Sequence, residues 1–319
     1  MQLFRTSGGV LTSLERDSFK LERDIQSLVE TNMDVLFGLQ FVSTEFSIAE
    51  FRLDSLAFDE QNNSFVIVEY KKGHSYSVVD QGYSYLSVML NNKAEFILEY
   101  NEQTGRQLKR SDIDWTSSRV IFVSPSFNSY QKDSVNFKNL PFELWEIKRF
   151  SNNTIVFNKH KSSSNESIES LTNTKNKNVI SSVSREVKVF DDNDWISKTN
   201  EQLVQKWNDL KEGLIELNDI ELVSKRDYIS LMIGNKTICY FNFQKTRIRM
   251  DFVRGNIKPD GSKSKNFFTL DDPKQISIEG SWEWKNGTKG NVYKVSLDKN
   301  FDVDYVKFLI KQKYNNLSR

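Results

Sequence analysis

Three extended segments follow one another between residues 41 and 72, and this run constrains the fold more than any other feature of the chain. They are Phe41–Ile48, Phe51–Phe58 and Ser64–Lys72, and the polar residues 60–63 between the last two form a break of hairpin length. Helical patterns flank the run at Leu21–Phe37 and Val78–Asn91, and the buried-strand pattern Arg119–Ser124 comes later. This order predicts an α/β fold with a mixed sheet flanked by helices.

Composition divides the chain into two domains. Between Lys161 and Ser184, 14 of the 24 residues are Ser, Thr or Asn and none is aromatic, so this stretch predicts a linker. We therefore predict a first domain at 1–160, a linker at 161–186 and a second, α+β domain at 187–319. The second domain is expected to open with a helix at Ser197–Leu217 and to close with one at Val303–Tyr314.

Composition also excludes several classes of protein. One cysteine and two histidines leave too few ligands for a cysteine-rich zinc centre, and no glycine-rich nucleotide loop occurs. No run approaches the ~18–20 apolar residues of a membrane-spanning helix, and the first residues do not form a signal peptide. The sequence therefore predicts a cytoplasmic protein with no membrane partner, and it leaves homo-oligomerisation open.

A charged pair lies on an apolar strand face. Side chains alternate along a strand, so Glu69 and Lys71 share a face with apolar neighbours, where unpaired charge is costly. A hairpin that pairs Asp59 with Ser64 places Asp54 opposite Glu69, whereas a turn two residues tighter places it opposite Lys71. Both registers bring Asp54 to the same face.

Two carboxylates beside one ammonium suit a hard divalent cation. Mg²⁺ takes oxygen ligands, commonly one or two carboxylates with several waters, and a bound metal neutralises phosphate charge. Lys71 can hold or help activate an attacking water. A purely structural ion cluster of Asp54, Glu69 and Lys71 is the alternative that spacing leaves open.

Two helices offer further polar residues to this face. Gln81 and Tyr85 are four apart and share a helical face, and both can hydrogen-bond water, phosphate or Lys71. In the first helix, Glu22 lies at the edge of the apolar stripe, and Glu30 is a competing candidate. A solvated helix surface is the more common explanation for residues of these types at such positions.

Together, Glu22, Asp54, Glu69-Tyr-Lys71 and Gln81-xxx-Tyr85 resemble the PD-(D/E)XK nuclease superfamily, in particular its NucS- and RecB-type branch, over about residues 15–125. Leu53 replaces the proline of the nominal motif. The resemblance implies a restriction endonuclease-like fold that hydrolyses DNA or RNA with Mg²⁺ or Mn²⁺. It implies metal ligation by Asp54 and Glu69, water activation by Lys71 and support of the metal by Glu22. Gln81 and Tyr85 would contact substrate or brace the site.

The second domain resembles a C-terminal domain described as a "predicted transport protein", through the pattern that runs from Phe301 to Ile310. It also contains an alternating stretch in which Lys245, Arg247 and Arg249 would lie on one strand face beside Phe241 and Phe243. Cations next to aromatic rings suit a nucleic-acid strand, although the solvated face of an antiparallel strand is the alternative.

These features predict a metal-dependent nuclease whose partner is nucleic acid, with DNA favoured. Two alternatives stay open. One is a non-catalytic nucleic-acid-binding or regulatory protein that keeps the nuclease fold, and the other is an assembly module whose second domain mediates protein contacts.

Overall fold

The computed structural model describes residues 2–72, 77–136, 140–160, 177–257, 261–264, 267–283 and 289–318. It divides the chain into two units, Met1–Lys188 and Val189–Arg319. None of the helices described is long and apolar enough to cross a membrane.

The first unit contains nine strands, six α-helices and two short 3-10 helices among its described residues. The strands are β1 (Phe4–Ser7), β2 (Val10–Ser13), β3 (Arg16–Asp17), β4 (Gln40–Ile48), β5 (Phe51–Asp59), β6 (Ser64–Tyr70), β7 (Arg119–Ser124), β8 (Phe142–Phe150) and β9 (Ile155–Lys159). The helices are α1 (Glu22–Thr31), α2 (Met33–Phe37), α3 (Val78–Asn91), α4 (Lys93–Thr104), α5 (Ser129–Ser134) and α6 (Lys177–Glu186).

Seven of these strands form one mixed sheet. The order is β4-β5-β6-β7-β8-β3, and β9 also pairs with β8. Strands β4, β5 and β6 are antiparallel, whereas β6, β7 and β8 are parallel. The predicted α/β fold with a mixed sheet is thereby confirmed. Asp59 pairs with Ser64, so the first of the two hairpin registers is correct and the tighter turn is wrong.

Helices cover both faces of this sheet. Phe65 and Ile67 of β6 pack in the same core as α3 and α4, whereas Val66 and Val68 pack in the core that contains α1. Every residue of β6 is buried for this reason. A strand buried on both faces presents an almost continuous apolar sequence. A charged residue at its end must then be held by specific partners.

The predicted helix Leu21–Phe37 is two helices instead of one. Helix α1 ends at Thr31 and α2 begins at Met33. The side-chain amide of Asn32 donates to the carbonyl oxygen of Leu28 at 2.8 Å, and such local bonds compete with helical continuation. Helix α3, by contrast, has the bounds that its apolar pattern predicts.

The predicted linker is wrong over its second part. Its residues 161–176 lie outside those that the structure describes, and 177–186 form α6, which packs on α3. Ile180 and Val183 of this helix are buried in the core of the first unit, together with Val187. Apolar residues at helical spacing within a Ser- and Asn-rich stretch are enough to bury one face of a helix.

The second unit is an antiparallel sheet with helices. Its strands are β10 (Ile220–Ser224), β11 (Ile229–Ile233), β12 (Lys236–Phe243), β13 (Ile248–Ile257), β14 (Ser277–Glu283) and β15 (Lys289–Leu297), in the order β10-β11-β12-β13-β15-β14. Its helices are α7 (Asn193–Ile196), α8 (Glu201–Leu214) and α9 (Val303–Leu317). Helices α8 and α9 bury apolar residues in one core with this sheet, where Trp207 contacts Phe241 at a ring distance of 4.9 Å. This is the α+β arrangement that the sequence predicts.

Candidate functional site

The predicted site residues of the first unit meet where β6 ends. The backbone N–H of Lys71, just past β6, donates to the carbonyl oxygen of Val123 in the parallel neighbour β7 at 2.9 Å. The carboxyl ends of parallel strands open into a crevice where α/β proteins commonly bind ligands. Alternation along β6 aims Glu69 and Lys71 toward the α3 side of this crevice.

Glu69 and Lys71 form a close ion pair. The Nζ atom of Lys71 lies 2.5 Å from Oε1 of Glu69, whose side chain is only 3% exposed. Burial alone would lower the pKa of Lys71, but its bond to Glu69 and the charges of Glu69, Asp54 and Glu22 raise that pKa above the ordinary value. Lys71 is therefore an ammonium group at neutral pH, and it acts as a fixed positive charge and hydrogen-bond donor.

Asp54 adds a second carboxylate to the crevice. It directly precedes Ser55, which pairs with Val68, and its Oδ2 accepts the backbone N–H of Tyr70 at 2.9 Å. Burial and the charge of Glu69 raise the pKa of Asp54 to about 7, although the Tyr70 N–H and Lys71 oppose this rise. The crevice thus holds more negative charge than Lys71 compensates.

Helix α3 places Gln81 and Tyr85 next to the carboxylate of Glu69. Nε2 of Gln81 donates to Oε1 of Glu69 and to the hydroxyl oxygen of Tyr85, both at 2.8 Å. Burial raises the pKa of Tyr85, so its hydroxyl stays protonated. Two acceptors have no hydrogen-bond donor, namely Oε2 of Glu69 and Oε1 of Gln81, and both atoms are buried. Orphaned buried oxygens of this kind call for an ion or a water.

The structure distinguishes between Glu22 and Glu30. Oε2 of Glu22 accepts the backbone N–H of Lys72 at 2.8 Å, and its charge acts on both Asp54 and Lys71. Glu30 instead accepts hydrogen bonds from Gln26 at 3.0 Å and from Ser55 at 2.6 Å. Glu22 is therefore the glutamate of α1 that belongs to the crevice.

The donor set fits a hard divalent cation. Asp54 and Glu69 supply carboxylate oxygens, and the buried Oε2 of Glu69, which accepts no hydrogen bond, offers a coordination position. Within the described residues, no group of three or more His, Cys, Asp or Glu side chains is placed to hold a metal. Mg²⁺ commonly uses only one or two carboxylates and keeps its waters, so the smaller set is compatible with this ion.

The prediction that Lys245, Arg247 and Arg249 lie on one strand face beside Phe241 and Phe243 is wrong. Strand β12 ends at Phe243, and a turn closed by the Gln244 N–H and the Arg247 carbonyl reverses the chain, so Phe243 pairs with Ile248. Phe241 and Phe243 are buried in the core and do not lie beside the cations. The alternating pattern runs across the turn without a glycine or proline to mark it, which explains the error.

The three cations remain exposed, but they differ in their surroundings. Lys245 and Arg247 belong to the turn, where Nε of Arg247 donates to Oε1 of Gln244 at 2.6 Å. On the adjoining strand, Arg249 pairs with Asp251 at 3.1 Å. Their role in nucleic-acid binding stays a prediction.

Replacing Lys245, Arg247 and Arg249 by glutamine is expected to flatten the salt dependence of duplex binding. Each phosphate contact that is lost should lower the slope of log affinity against log salt by about 0.9. A salt titration of the wild type and the triple variant on one oligonucleotide measures the two slopes. Parallel lines would show that these side chains contact no phosphate.

Sequence reasoning missed a second Glu-x-Lys pattern in the first unit. Glu146 and Lys148 lie two apart on β8, and Lys148 Nζ donates to Oε2 of Glu146 at 2.9 Å. The signal was present, because the spacing of Glu146 and Lys148 equals that of Glu69 and Lys71. These residues line a cavity that is described below.

Comparison with known proteins identifies one relative along the whole chain. An uncharacterized protein of Haemophilus influenzae is 39% identical over 318 residues, which cover 98% of this chain and 99% of that protein. The chain belongs to the family of this protein. No family model matches the chain, and the resemblance of the second unit to a transport-protein domain has no support.

Two solved structures match part of the chain. A repair endonuclease from Pyrococcus abyssi is 20% identical over 37% of this chain and 44% of its own, with a TM-score of 0.22. A complex of EndoMS with double-stranded DNA is 18% identical over 41% of this chain and 47% of its own, with a TM-score of 0.23. The matches span less than half of either endonuclease chain, and TM-scores this low carry no argument about function.

Proposed function

We propose that the first unit is a metal-dependent nuclease that hydrolyses phosphodiester bonds of DNA or RNA with an activated water. One observation carries this proposal. Oε2 of Glu69 and Oε1 of Gln81 are buried acceptors without donors, and they belong to a crevice that already holds the second carboxylate Asp54. A structural ion cluster would be expected to satisfy these atoms, whereas a cation with its waters would use them.

Each residue of the crevice has a role in this proposal. Asp54 and Glu69 would hold Mg²⁺ or Mn²⁺, and Glu22 would support the ion or one of its waters. When bound, such an ion neutralises phosphate charge and lowers the pKa of a coordinated water. Lys71 would donate hydrogen bonds to the attacking water or to a phosphate oxygen.

Two further groups would hold the reactive groups in place. Gln81 fixes the carboxylate of Glu69, and the Tyr85 hydroxyl accepts the second hydrogen bond of the same amide. Both side chains lie on α3, a 14-residue helix packed against the core, so they are positioned before substrate arrives. This set does not require a side-chain nucleophile.

Incubation of the protein with single- and double-stranded DNA and RNA tests the proposal. Wild type is expected to cleave at least one of these substrates with Mg²⁺ or Mn²⁺ and none in EDTA, and Asp54→Ala is expected to cleave none. Asp209→Ala, which removes an exposed carboxylate from α8, is the matched control and should keep wild-type activity. Gel analysis of labelled oligonucleotides measures the products.

Three outcomes would contradict the proposal. Cleavage that persists in EDTA would refute the metal-dependent mechanism, and full activity of Asp54→Ala would refute the assigned ligand. Salt-dependent binding without cleavage of any substrate would favour the non-catalytic nucleic-acid-binding alternative.

A further inference from the structure

A cavity of about 560 Å³ opens beside the crevice, at the carboxyl ends of the same parallel strands. Its walls come from the segment before α1, from the loop after β7 and from β8. Five cationic side chains line it, against two acidic ones. The cations are Arg16, Lys72, Lys132, Lys148 and Arg149. The cavity therefore has a surplus of positive charge.

A buried carboxylate fixes two of these cations. Glu146 is 8% exposed, and its two oxygens pair with Lys132 at 2.7 Å and with Lys148 at 2.9 Å. Burial raises the pKa of Glu146, but the hydrogen bonds and charges of the two lysines outweigh it and lower that pKa to about 2. The glutamate remains ionised at neutral pH and holds both ammonium groups in one place.

The opposite wall carries a donor without an acceptor. Arg149 pairs with Asp17 at 2.8 Å, and its guanidinium lies 5.0 Å from the ring centre of Phe19. Its Nε atom is buried and has no hydrogen-bond partner. A buried guanidinium N–H without an acceptor, in a cavity with surplus positive charge, points to an anionic ligand with several oxygens.

Lys72 connects the cavity with the crevice. Its backbone N–H donates to Glu22, which belongs to the crevice, and Lys72, whose Nζ donates to the carbonyl oxygen of Lys20, also lines the cavity. A polymer that carries a phosphate at every step can occupy both places at once, whereas an isolated small anion cannot.

We propose that this cavity binds a phosphate group of the nucleic-acid strand whose neighbouring phosphodiester lies at Asp54, Glu69 and Lys71. The inference rests on the proposed function. It adds to the cleavage site a second site that binds the same strand. The phosphate is either an internal phosphodiester or a terminal 5′-phosphate. Both offer the same oxygens to the cations that line the cavity.

Binding without cleavage tests this inference. All variants are made in an Asp54→Ala background and measured in EDTA by salt titration with a labelled duplex, so that neither metal nor turnover contributes. The triple change Lys132→Gln, Glu146→Gln and Lys148→Gln removes both ammonium groups without leaving an unpaired buried carboxylate. Arg149→Gln removes the guanidinium group from the other wall of the cavity. Its partner Asp17 is half exposed, so water can solvate the carboxylate that loses its ion pair. Lys109→Gln, an exposed lysine that does not line the cavity, is the matched control.

The triple variant is expected to bind about ten-fold more weakly at low salt, with a slope reduced by about 0.9 for each lost phosphate contact. Arg149→Gln should act in the same direction, and Lys109→Gln should leave affinity and slope unchanged. A preference for 5′-phosphorylated over 5′-hydroxyl ends that disappears in the triple variant identifies a terminal phosphate. A reduced slope with equal affinity for both ends identifies an internal one.

The experiments distinguish failure of the proposed phosphate site from failure of the proposed nuclease function. Salt lines of the triple variant and of Arg149→Gln that run parallel to the parent would overturn the inference, and so would the absence of any binding. Metal-dependent cleavage by the otherwise wild-type protein would leave the proposed function intact in either case. Conversely, pocket-dependent binding by a protein that never cleaves would support the phosphate site and reject the nuclease.

Discussion

Lys71→Ala is expected to lower the rate of phosphodiester cleavage by roughly 10²–10³-fold, the usual effect of removing one preorganised charge or donor. Lys71 is the only cation hydrogen-bonded to Glu69 among the described residues, and its raised pKa keeps it protonated. Removing it leaves the carboxylates in place, so Mn²⁺ binding should persist or strengthen while cleavage is lost. Single-turnover rates with saturating metal, together with calorimetric Mn²⁺ titration, separate the two effects.

Two further variants test whether the effect is specific to Lys71 and to the shape of its ammonium group. Lys93→Ala removes a partly buried lysine that pairs with Glu186 of α6, and it should keep full activity. Lys71→Arg keeps the charge but replaces a compact ammonium by a planar fork, so it should recover only part of the rate. Wild-type cleavage by Lys71→Ala would show that the ion pair with Glu69 has a structural role alone.

Asp54→Asn is expected to stabilise the metal-free protein and to abolish its stabilisation by Mn²⁺. The amide keeps the acceptor for the Tyr70 N–H but removes a charge whose burial and repulsion by Glu69 raise the pKa of Asp54 to about 7. Above pH 7 the free energy of unfolding should rise by roughly 1–3 kcal/mol. Mn²⁺ at about a hundred times its Kd should add about 2.7 kcal/mol to the wild type and nothing to the variant.

The sign of the pH dependence follows from the direction of the shift. The pKa of Asp54 is higher in the folded protein than the ordinary 3.8, so its charge destabilises the fold progressively from about pH 4 and fully above about pH 7. The advantage of Asp54→Asn should therefore disappear toward pH 4. Thermal denaturation with and without Mn²⁺ across this range measures both effects, with Asp209→Asn as control. A less stable variant, or one that Mn²⁺ still stabilises, would remove Asp54 from the metal site.

The strands at the centre of the first unit could be predicted because they are buried on both faces. Strand β7 has the predicted bounds, since a continuous apolar run leaves little freedom in where it begins and ends. Elements at the surface were missed. All residues of the β1–β2 hairpin are exposed, so its sequence carries no apolar period to detect. The helix α6 was hidden by its Ser- and Asn-rich composition, although Ile180 and Val183 have helical spacing.

The sequence by itself determined that Asp54, Glu69 and Lys71 lie on one side of a hairpin. Side chains alternate with a strict period of two, so both registers that the polar break allows give the same answer. The helical period likewise brought Gln81 and Tyr85 to one face of α3, whatever that helix packs against.

Only the tertiary structure decided which atoms meet. Glu22 and Glu30 lie two turns apart on one helix, and the docking of α1 on the sheet, which depends on packing between distant segments, brings Glu22 to Lys72 and Glu30 to Ser55. The pairing of Glu146 with Lys132 is of the same kind, because it joins β8 to the separate helix α5. Periodicity fixes relations within one element, whereas relations between elements follow from how their apolar faces pack.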